Sequence, residues 1–480
     1  MSRTVPDHPR VLVAIANYGE GNRRYLDQLL AEYRAMPFPV DVVVLSNIPK
    51  DLGEGVEVKV GLPSKNPWSL PFGHKQLFAD RIEQYDAFIY SEDDILVTEN
   101  NIRAFLEVTP TLEDDEIAGF MRIETHPDGR KSYDMIHAFF RWDPASARLR
   151  GGELYAHLTN EHAAAYILTR DHLRRAIDSG GFLVPPHQHR YDLLCTAATD
   201  PYTQCGMTKL LPLDRLADFE VRHLPNKYVG IYGVEGPALA EQIDALRAIA
   251  QSGQAPTPWI EIETRLPGGG ASKPVHDQPD DALLATVPSD AKSVLVIGCG
   301  DGRTEAAMIA GGAAVTALPV DPVVGRNAAA RGVEVLPADP AEAERVLGSR
   351  PFDVVAFPDV LHLVAEPVAL LRRFARCVAE GGTVLVSAPN TADMKMRMAK
   401  LRGGAGYREL GDFERAGLHA TNRRVLRQWL REAGLTTTRV QPEMTDKRQK
   451  LARASAGLGA ALLANRWLLQ AKPAATPAAS

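Results

Sequence analysis

The chain has 480 residues, 45% of them apolar and 24% charged, with a formal net charge of −6. This length favours two or three domains, the composition is that of a globular protein, and the charge excludes a protein built broadly for nucleic acid. Four cysteines, Cys195, Cys205, Cys299 and Cys377, form no CxxC pair, which excludes a cysteine-rich zinc site and gives no disulfide framework.

The amino terminus, MSRTVPDHPR, lacks the apolar segment of a signal peptide. No run reaches the ~18 apolar residues of a spanning helix. The longest, LGAALLANRWLL, is interrupted by Asn465 and Arg466. The expectation is a cytoplasmic protein with peripheral contact at the inner face of the membrane.

The first half opens with a buried-strand signal, VLVAIA (11–16). A polar loop, NYGEGN, a helical stretch and a second strand, VDVVVLS (40–46), follow. Apolar strands alternating with helices predict a parallel sheet covered on both faces. HKQLFADRIEQ reads as a further helix. DAFIYS reads as a strand that runs into three carboxylates, Glu92, Asp93 and Asp94.

Carboxylates at the carboxyl end of a parallel sheet stand where open α/β sheets bind ligands. They repel one another unless a cation or hydrogen bonds offset the charge. Magnesium or manganese, which takes oxygen ligands and bridges phosphates, would do so. The other reading is an acidic turn that caps a helix over Thr98–Glu107.

VAIANYGEGN, NPWSLPFGHKQLF, FIYSEDDILV, NEHAAAYILTRDHLRRA and VRHLPNKY, in that order over 9–235, resemble a GT-A-type glycosyltransferase domain. The resemblance places Glu92–Asp94 at the family's metal-binding position. It implies a divalent metal, Mn or Mg, held by Asp94, Glu92 and His223. It also implies a nucleotide-sugar donor lined by Asn17 and Tyr18 in the first loop, and a glycan or glycolipid acceptor. On that resemblance His74 and Lys75 stand either near the diphosphate or on an exposed helix face, and Glu153, Glu161 and Asp192 are the candidate bases for the acceptor proton.

GQAPTP and LPGGGASKP (266–274) read as a linker, by glycine, proline and serine without periodicity. The strand, turn and helix logic then restarts with SVLVIG (293–298), the turn GCGDG and the helical RTEAAMIAGG. AAVTALPVD, FDVVAFPD (352–359), PVALLRRFARCVAEGG and TVLVSAPN (383–390) continue it. Glycines in such a turn let a backbone approach a ligand closely. An acidic residue about twenty positions on, here Asp321, suits the two hydroxyls of a ribose. Asp339, in LPADP, suits an adenine amino group.

This ordered set, over roughly 275–472, resembles the class I S-adenosylmethionine-dependent methyltransferases. The resemblance implies that Gly298, Gly300 and Gly302 pass under the cofactor, S-adenosylmethionine, with Asp321 on its ribose and Asp339 at its adenine. PDVLHLV departs from the family's acidic and histidine pair, with His362 and Leu363 in those places. YRELGDFERAGLHATNRRVLRQWLREAGL is similar to the methyltransferases encoded with surface-polysaccharide genes, which makes His419 a candidate base for a hydroxyl acceptor. KMRMAKLRGGAGYR, basic with interleaved methionines, reads as a solvated lid helix, as a contact for anionic lipid or as a holder of a phosphorylated acceptor.

The predicted architecture is two Rossmann-like α/β domains. A GT-A-like mixed sheet fills 1–250, a linker 251–275, and a seven-stranded class I methyltransferase sheet 276–480. The expected protein is bifunctional, with glycosyl transfer from a nucleotide-sugar plus S-adenosylmethionine-dependent O-methylation of a sugar or glycan hydroxyl, in surface polysaccharide or glycolipid biosynthesis. The alternative is a methyltransferase with a non-catalytic, glycan-binding first domain.

Overall fold

The computed structural model describes residues 8–133, 139–188, 190–231, 233–276, 278–404, 406–454 and 459–474. The chain divides into two compact units, Met1–Ile136 with Phe140–Ala255, and His137–Phe139 with Pro256–Ser480.

The first unit is built on a five-stranded sheet in the order Val56–Val60, Val40–Ser46, Val11–Asn17, Ala87–Glu92 and Ala165–Thr169. Four strands are parallel, and Ala165–Thr169 runs antiparallel to its neighbour. Every residue of Val11–Asn17 is buried, so its apolar residues run unbroken instead of alternating. Helix Arg23–Ala35 turns Leu26, Leu29, Leu30 and Tyr33 toward the core at helical spacing. Ala16 pairs with Glu92 in parallel register, so the loop after the first strand and the acidic cluster leave the sheet at the same end.

Two smaller sheets complete this unit. In one of them Glu220–His223 lies between Met121–Thr125 and Ile95–Leu96. Its antiparallel register sets His223 opposite Ile95, and Leu224 N donates to Asp94 O at 2.9 Å. This pairing carries a residue from late in the unit to the acidic turn.

The second unit holds a seven-stranded sheet in the order Glu334–Val335, Ala314–Pro319, Ser293–Cys299, Phe352–Pro358, Val378–Pro389, Arg466–Pro473 and Leu435–Glu443. The first five strands are parallel and Arg466–Pro473 is antiparallel to both of its neighbours. Strand order reverses between Ser293–Cys299 and Phe352–Pro358. This is the topological switch point where open α/β sheets take ligands.

The structure differs from the expected linker at 251–275. Helix Gly236–Ser252 ends on Gly253, and residues from 256 onward belong to the second unit. Ile260, Ile262, Leu266 and Val275 are buried in one cluster with Leu295, Ile297 and Val360. Lys273 N donates to Ile262 O at 2.9 Å. The alternating apolar residues of WIEIE anchor this segment, and its glycines make turns within a packed strap.

Candidate functional sites

In the first unit the helix cap is not acidic. Thr98 caps helix Glu99–Val108 by accepting from Asn101 N at 3.3 Å, while Asn101 Oδ1 accepts from Thr98 N at 2.9 Å. Glu92, Asp93 and Asp94 therefore have no capping duty, and Asp93 and Asp94 sit buried in the turn that ends the strand.

Asn17 Nδ2 donates to Asp93 Oδ2 at 2.5 Å, and Asn22 Nδ2 to Asp93 Oδ1 at 2.7 Å and Asp94 Oδ2 at 3.4 Å. Lys50 donates to Asn17 Oδ1 and to the carbonyl of Gly19. Burial pushes the Asp93 carboxyl up to about 6, against the pull of the Asn22 and Asn17 hydrogen bonds. Tyr18 points outward, 54% exposed.

His223 Nε2 lies 3.6 Å from Asp94 Oδ2. Its Nδ1 is held by Glu124 Oε1, and its ring stacks on Tyr228 with centroids 5.6 Å apart. Glu124 thus orients His223, a role that sequence reasoning missed because Glu124 sits in an ordinary strand. The expected metal trio is only partly brought together. Glu92 Oε1 turns to His162 Nε2 at 3.5 Å, and neither atom has a hydrogen-bond partner. Among the described residues no group of three or more His, Cys, Asp and Glu forms a set that could hold a metal. The turn at Asp93–Asp94 breaks strand alternation, so Asp94 no longer shares a face with Glu92.

The base candidates separate. Asp192 is an exposed N-cap of helix Leu193–Thr203, accepting from Cys195 N at 2.9 Å. Burial, then the charges of Glu92 and Asp192, raise the Cys195 thiol. Glu153 sits in the separate four-stranded sheet, paired with Arg150 and accepting from Tyr155 Oη at 3.1 Å. Glu161 is buried beside His157 Nε2 at 3.5 Å and Lys209 Nζ at 4.0 Å. His74 and Lys75 are neither exposed nor open to a diphosphate. His74 bridges the Pro71 carbonyl and Tyr166 Oη, and Lys75 forms a buried ion pair with Asp200.

In the second unit a cavity of about 740 Å³ opens beside the glycine turn. Gly300 and Gly302 line it, with Lys273, Asp280, Asp359, Glu443 and Arg466 across from them. Among the described residues seven carboxylates and three cations line this cavity, so its field is negative. Arg466 organises the wall. Its Nε lies 2.8 Å from Asp359 Oδ2, its Nη2 2.5 Å from Asp280 Oδ2, and its Nη1 3.0 Å from Glu443 Oε2.

Burial would raise Asp359, but Arg466 and Lys273 outweigh it and hold the carboxyl below its usual range. Asp359 also takes a left-handed backbone, φ 47°, uncommon outside glycine and typical of residues fixed at a site. Sequence reading passed over Lys273, Asp359 and Arg466. The available signal was Arg466 itself, a charge that interrupts the apolar run ending the chain.

The glycine turn is shaped by the protein's own packing. Gly298 and Gly302 have φ of 99° and 84°. A Cβ on Gly300 would stand 2.7 Å from the Val275 carbonyl oxygen, and one on Gly302 would stand 2.5 Å from Ala328 Cα. Asp301 N donates to Val275 O at 2.8 Å, tying the strap to the turn.

Two of the expected cofactor contacts also have duties within the fold. The second strand ends at Pro319, whose carbonyl accepts from Trp259 Nε1 at 2.8 Å. Asp321 lies beyond it, fully buried, and its Oδ1 accepts from Val323 N and Val324 N, which closes a turn. Asp339 caps helix Pro340–Leu347, accepting from Ala341 N and Glu342 N. His419 does not line the cavity. Its Nε2 lies 3.0 Å from the Val364 carbonyl oxygen and 3.2 Å from that of Ala365, and its ring stacks on Phe413. His362, fully buried, bonds the Ala271 carbonyl of the strap at 2.8 Å.

These residues fit S-adenosylmethionine at its amino-acid end. Lys273 offers a cation for a carboxylate, Asp280 and Asp359, fixed by Arg466, offer anions for an ammonium, and the acidic wall suits a sulfonium.

Residues 275–440 match the profile of a family described as a methyltransferase domain. The ubiquinone biosynthesis O-methyltransferase of Caulobacter vibrioides is 34% identical over 129 residues, 26% of this chain and 50% of that protein. The same-named protein of Xylella fastidiosa is 28% identical over 186 residues, covering 35% of this chain and 71% of its own length. The chain thus spans about half the length of the first of these curated relatives. Among solved structures, an S-adenosylmethionine-dependent methyltransferase of Thermotoga maritima, described as a possible histamine N-methyltransferase, is 17% identical. The match covers 40% of this chain and 86% of that one, at a TM-score of 0.30. One from Mesorhizobium loti is also 17% identical, covering 40% and 95%, at a TM-score of 0.29.

Proposed function

We propose that the chain, whose second unit is a class I S-adenosylmethionine-dependent methyltransferase domain, transfers a methyl group to a hydroxyl oxygen. The observation that carries this reading is the acidic cavity beside the glycine turn at the switch point of the seven-stranded sheet. The names of the curated relatives support oxygen as the acceptor atom.

S-adenosylmethionine supplies an already activated methyl group on a sulfonium, so the protein's work is alignment and exclusion of water. Asp359 and Asp280 hold an ammonium, with Arg466 fixing both carboxylates. Lys273, buried and lowered by that burial, holds a carboxylate. His419 acts on the site only through the loop 362–366, whose carbonyls it binds.

Calorimetric titration of the full chain with S-adenosylhomocysteine tests the reading. Binding is expected for the wild type, with about tenfold or greater weakening in Asp359→Asn, the loss of one charge-assisted contact. Absence of binding by the wild type would overturn it.

A second activity for the first unit rests on a separate observation. Asp93 and Asp94 converge with Asn17, Asn22 and His223 at the carboxyl end of parallel strands, and Glu92 Oε1, turned toward His162, is buried without a hydrogen-bond partner. This supports a GT-A-like domain that transfers sugar from a nucleotide-sugar to a glycan or glycolipid, with Asp94 toward a divalent metal and Asp192 as the base. Both activities on one chain suit consecutive steps on one surface glycan. Manganese-dependent release of nucleoside diphosphate from a panel of nucleotide-sugars is expected, and Asp94→Ala should abolish it. A panel without any turnover leaves the first unit as a non-catalytic module.

A further inference from the structure

Helix Met394–Leu401 begins at Asp393, which caps it by accepting from Met396 N at 2.8 Å. None of its residues is buried. Met394, Met398 and Leu401 are 54%, 42% and 81% exposed, and Leu401 is the most exposed of the large hydrophobics among the described residues. Spaced i, i+4 and i+7, the three side chains stack on one face. Met396 turns the other way and packs against the core.

Charge frames that apolar row. At 100° per residue Arg397 falls on one flank, and Lys395 and Arg402 fall on the other. From Met394 to Arg408 the sequence carries five cations and no carboxylate, in a chain whose net charge is −6. A second helix, Asp446–Ala454, is tied to the first through Arg448 Nη1 and Asp393 Oδ2 at 3.0 Å. It also leaves Leu451 55% exposed, beside exposed Lys447 and Lys450.

We infer that this face docks on an anionic lipid bilayer, with the methionine and leucine side chains below the headgroups and the cations among them. An apolar stripe flanked by cations on both sides is the profile of a helix lying in a membrane interface. Flexible methionine side chains suit an irregular apolar surface. A second copy of the chain would set these cations against their own kind, which disfavours self-association through this face. Nucleic acid would use the cations and leave the apolar row in water. The inference is independent of either proposed activity.

Flotation of the full chain with vesicles tests it. Vesicles of equal parts phosphatidylcholine and phosphatidylglycerol should carry the protein, and vesicles of phosphatidylcholine alone should not. Met394→Ser with Met398→Ser and Leu401→Ser, and separately Lys395→Glu with Arg397→Glu, should each weaken flotation by about tenfold or more. All five positions are exposed, so circular dichroism should match the wild type. Equal flotation of wild type and both variants, or equal flotation on neutral vesicles, would overturn the inference. So would a lipid-free dimer in sedimentation that the serine variant abolishes, which would make a second copy the occupant.

Discussion

At the scale of single residues, acid should be felt at two histidines of the second unit. His276 is 2% exposed and neither ring nitrogen has a hydrogen-bond partner. Burial pushes it down to about 3, with the cations Arg303 and Arg331 adding to the shift. Burial likewise lowers His362 to about 4, against the raising effect of the Ala271 carbonyl. An unfolded histidine titrates near 6.5, so between there and about 4 the unfolded chain binds more protons than the folded one. Stability from the neutral folded imidazoles is thus fully present above about pH 6.5 and lost as pH falls, by roughly 1.4 kcal/mol per pH unit for each histidine. Thermal melts between about pH 7 and pH 5 should show this loss, and His276→Met should remove one histidine's share of the slope. An unchanged slope in that variant would refute the assignment. None of this was legible in the sequence, where His276 stands in a glycine- and proline-rich stretch that reads as solvated. The acidic triad was legible, because three carboxylates after an apolar strand signal a sheet end. Its partners were not. Glu124 and His162 reach it through folding of distant segments, and nothing in their local sequence marks them.

At the scale of elements, the strap from Trp259 to Val275 shows why composition misleads. Glycine, proline and serine read as slack, yet each end of the strap is fixed. Trp259 bonds the carbonyl of Pro319, and the Val275 carbonyl accepts from Asp301. His362 holds the middle through Ala271. Gly300 has no positive φ to explain its identity, and the absence of a side chain there is what lets the strap lie 2.7 Å from a Cβ position. The same contact accounts for one departure seen in the sequence. His362, where relatives of the resemblance carry an acidic residue, serves here as a donor to the strap. The strand ends were read less well than the strands. The strand ends at Pro319, and Asp321 lies two residues past it. Its carboxylate then goes to backbone amides, which is the usual use of an aspartate that opens a turn.

At the scale of the whole chain, the α/β character and the methyltransferase sheet were legible because strand period, glycine turn and helix spacing are local signals. The two smaller sheets of the first unit were not. Their strands are short, and the pairing of Glu220–His223 with Ile95–Leu96 joins segments far apart in sequence. The cores themselves argue for autonomy of the second unit. Among the described residues, two of its hydrophobic clusters draw their buried members from Ile260 to Ala471, while the large cluster of the first unit runs from Val11 to Val221. A unit of this size buries enough apolar surface in its own core to fold alone. A fragment of residues 256–480, which keeps the strap, is therefore expected to give a single cooperative thermal transition and to bind S-adenosylhomocysteine as the full chain does. A fragment that starts at 276 lacks Ile260, Ile262, Leu266 and Val275, and should melt less cooperatively and bind more weakly. Equal melting and binding by the two fragments would show that residues 256–275 are a linker after all.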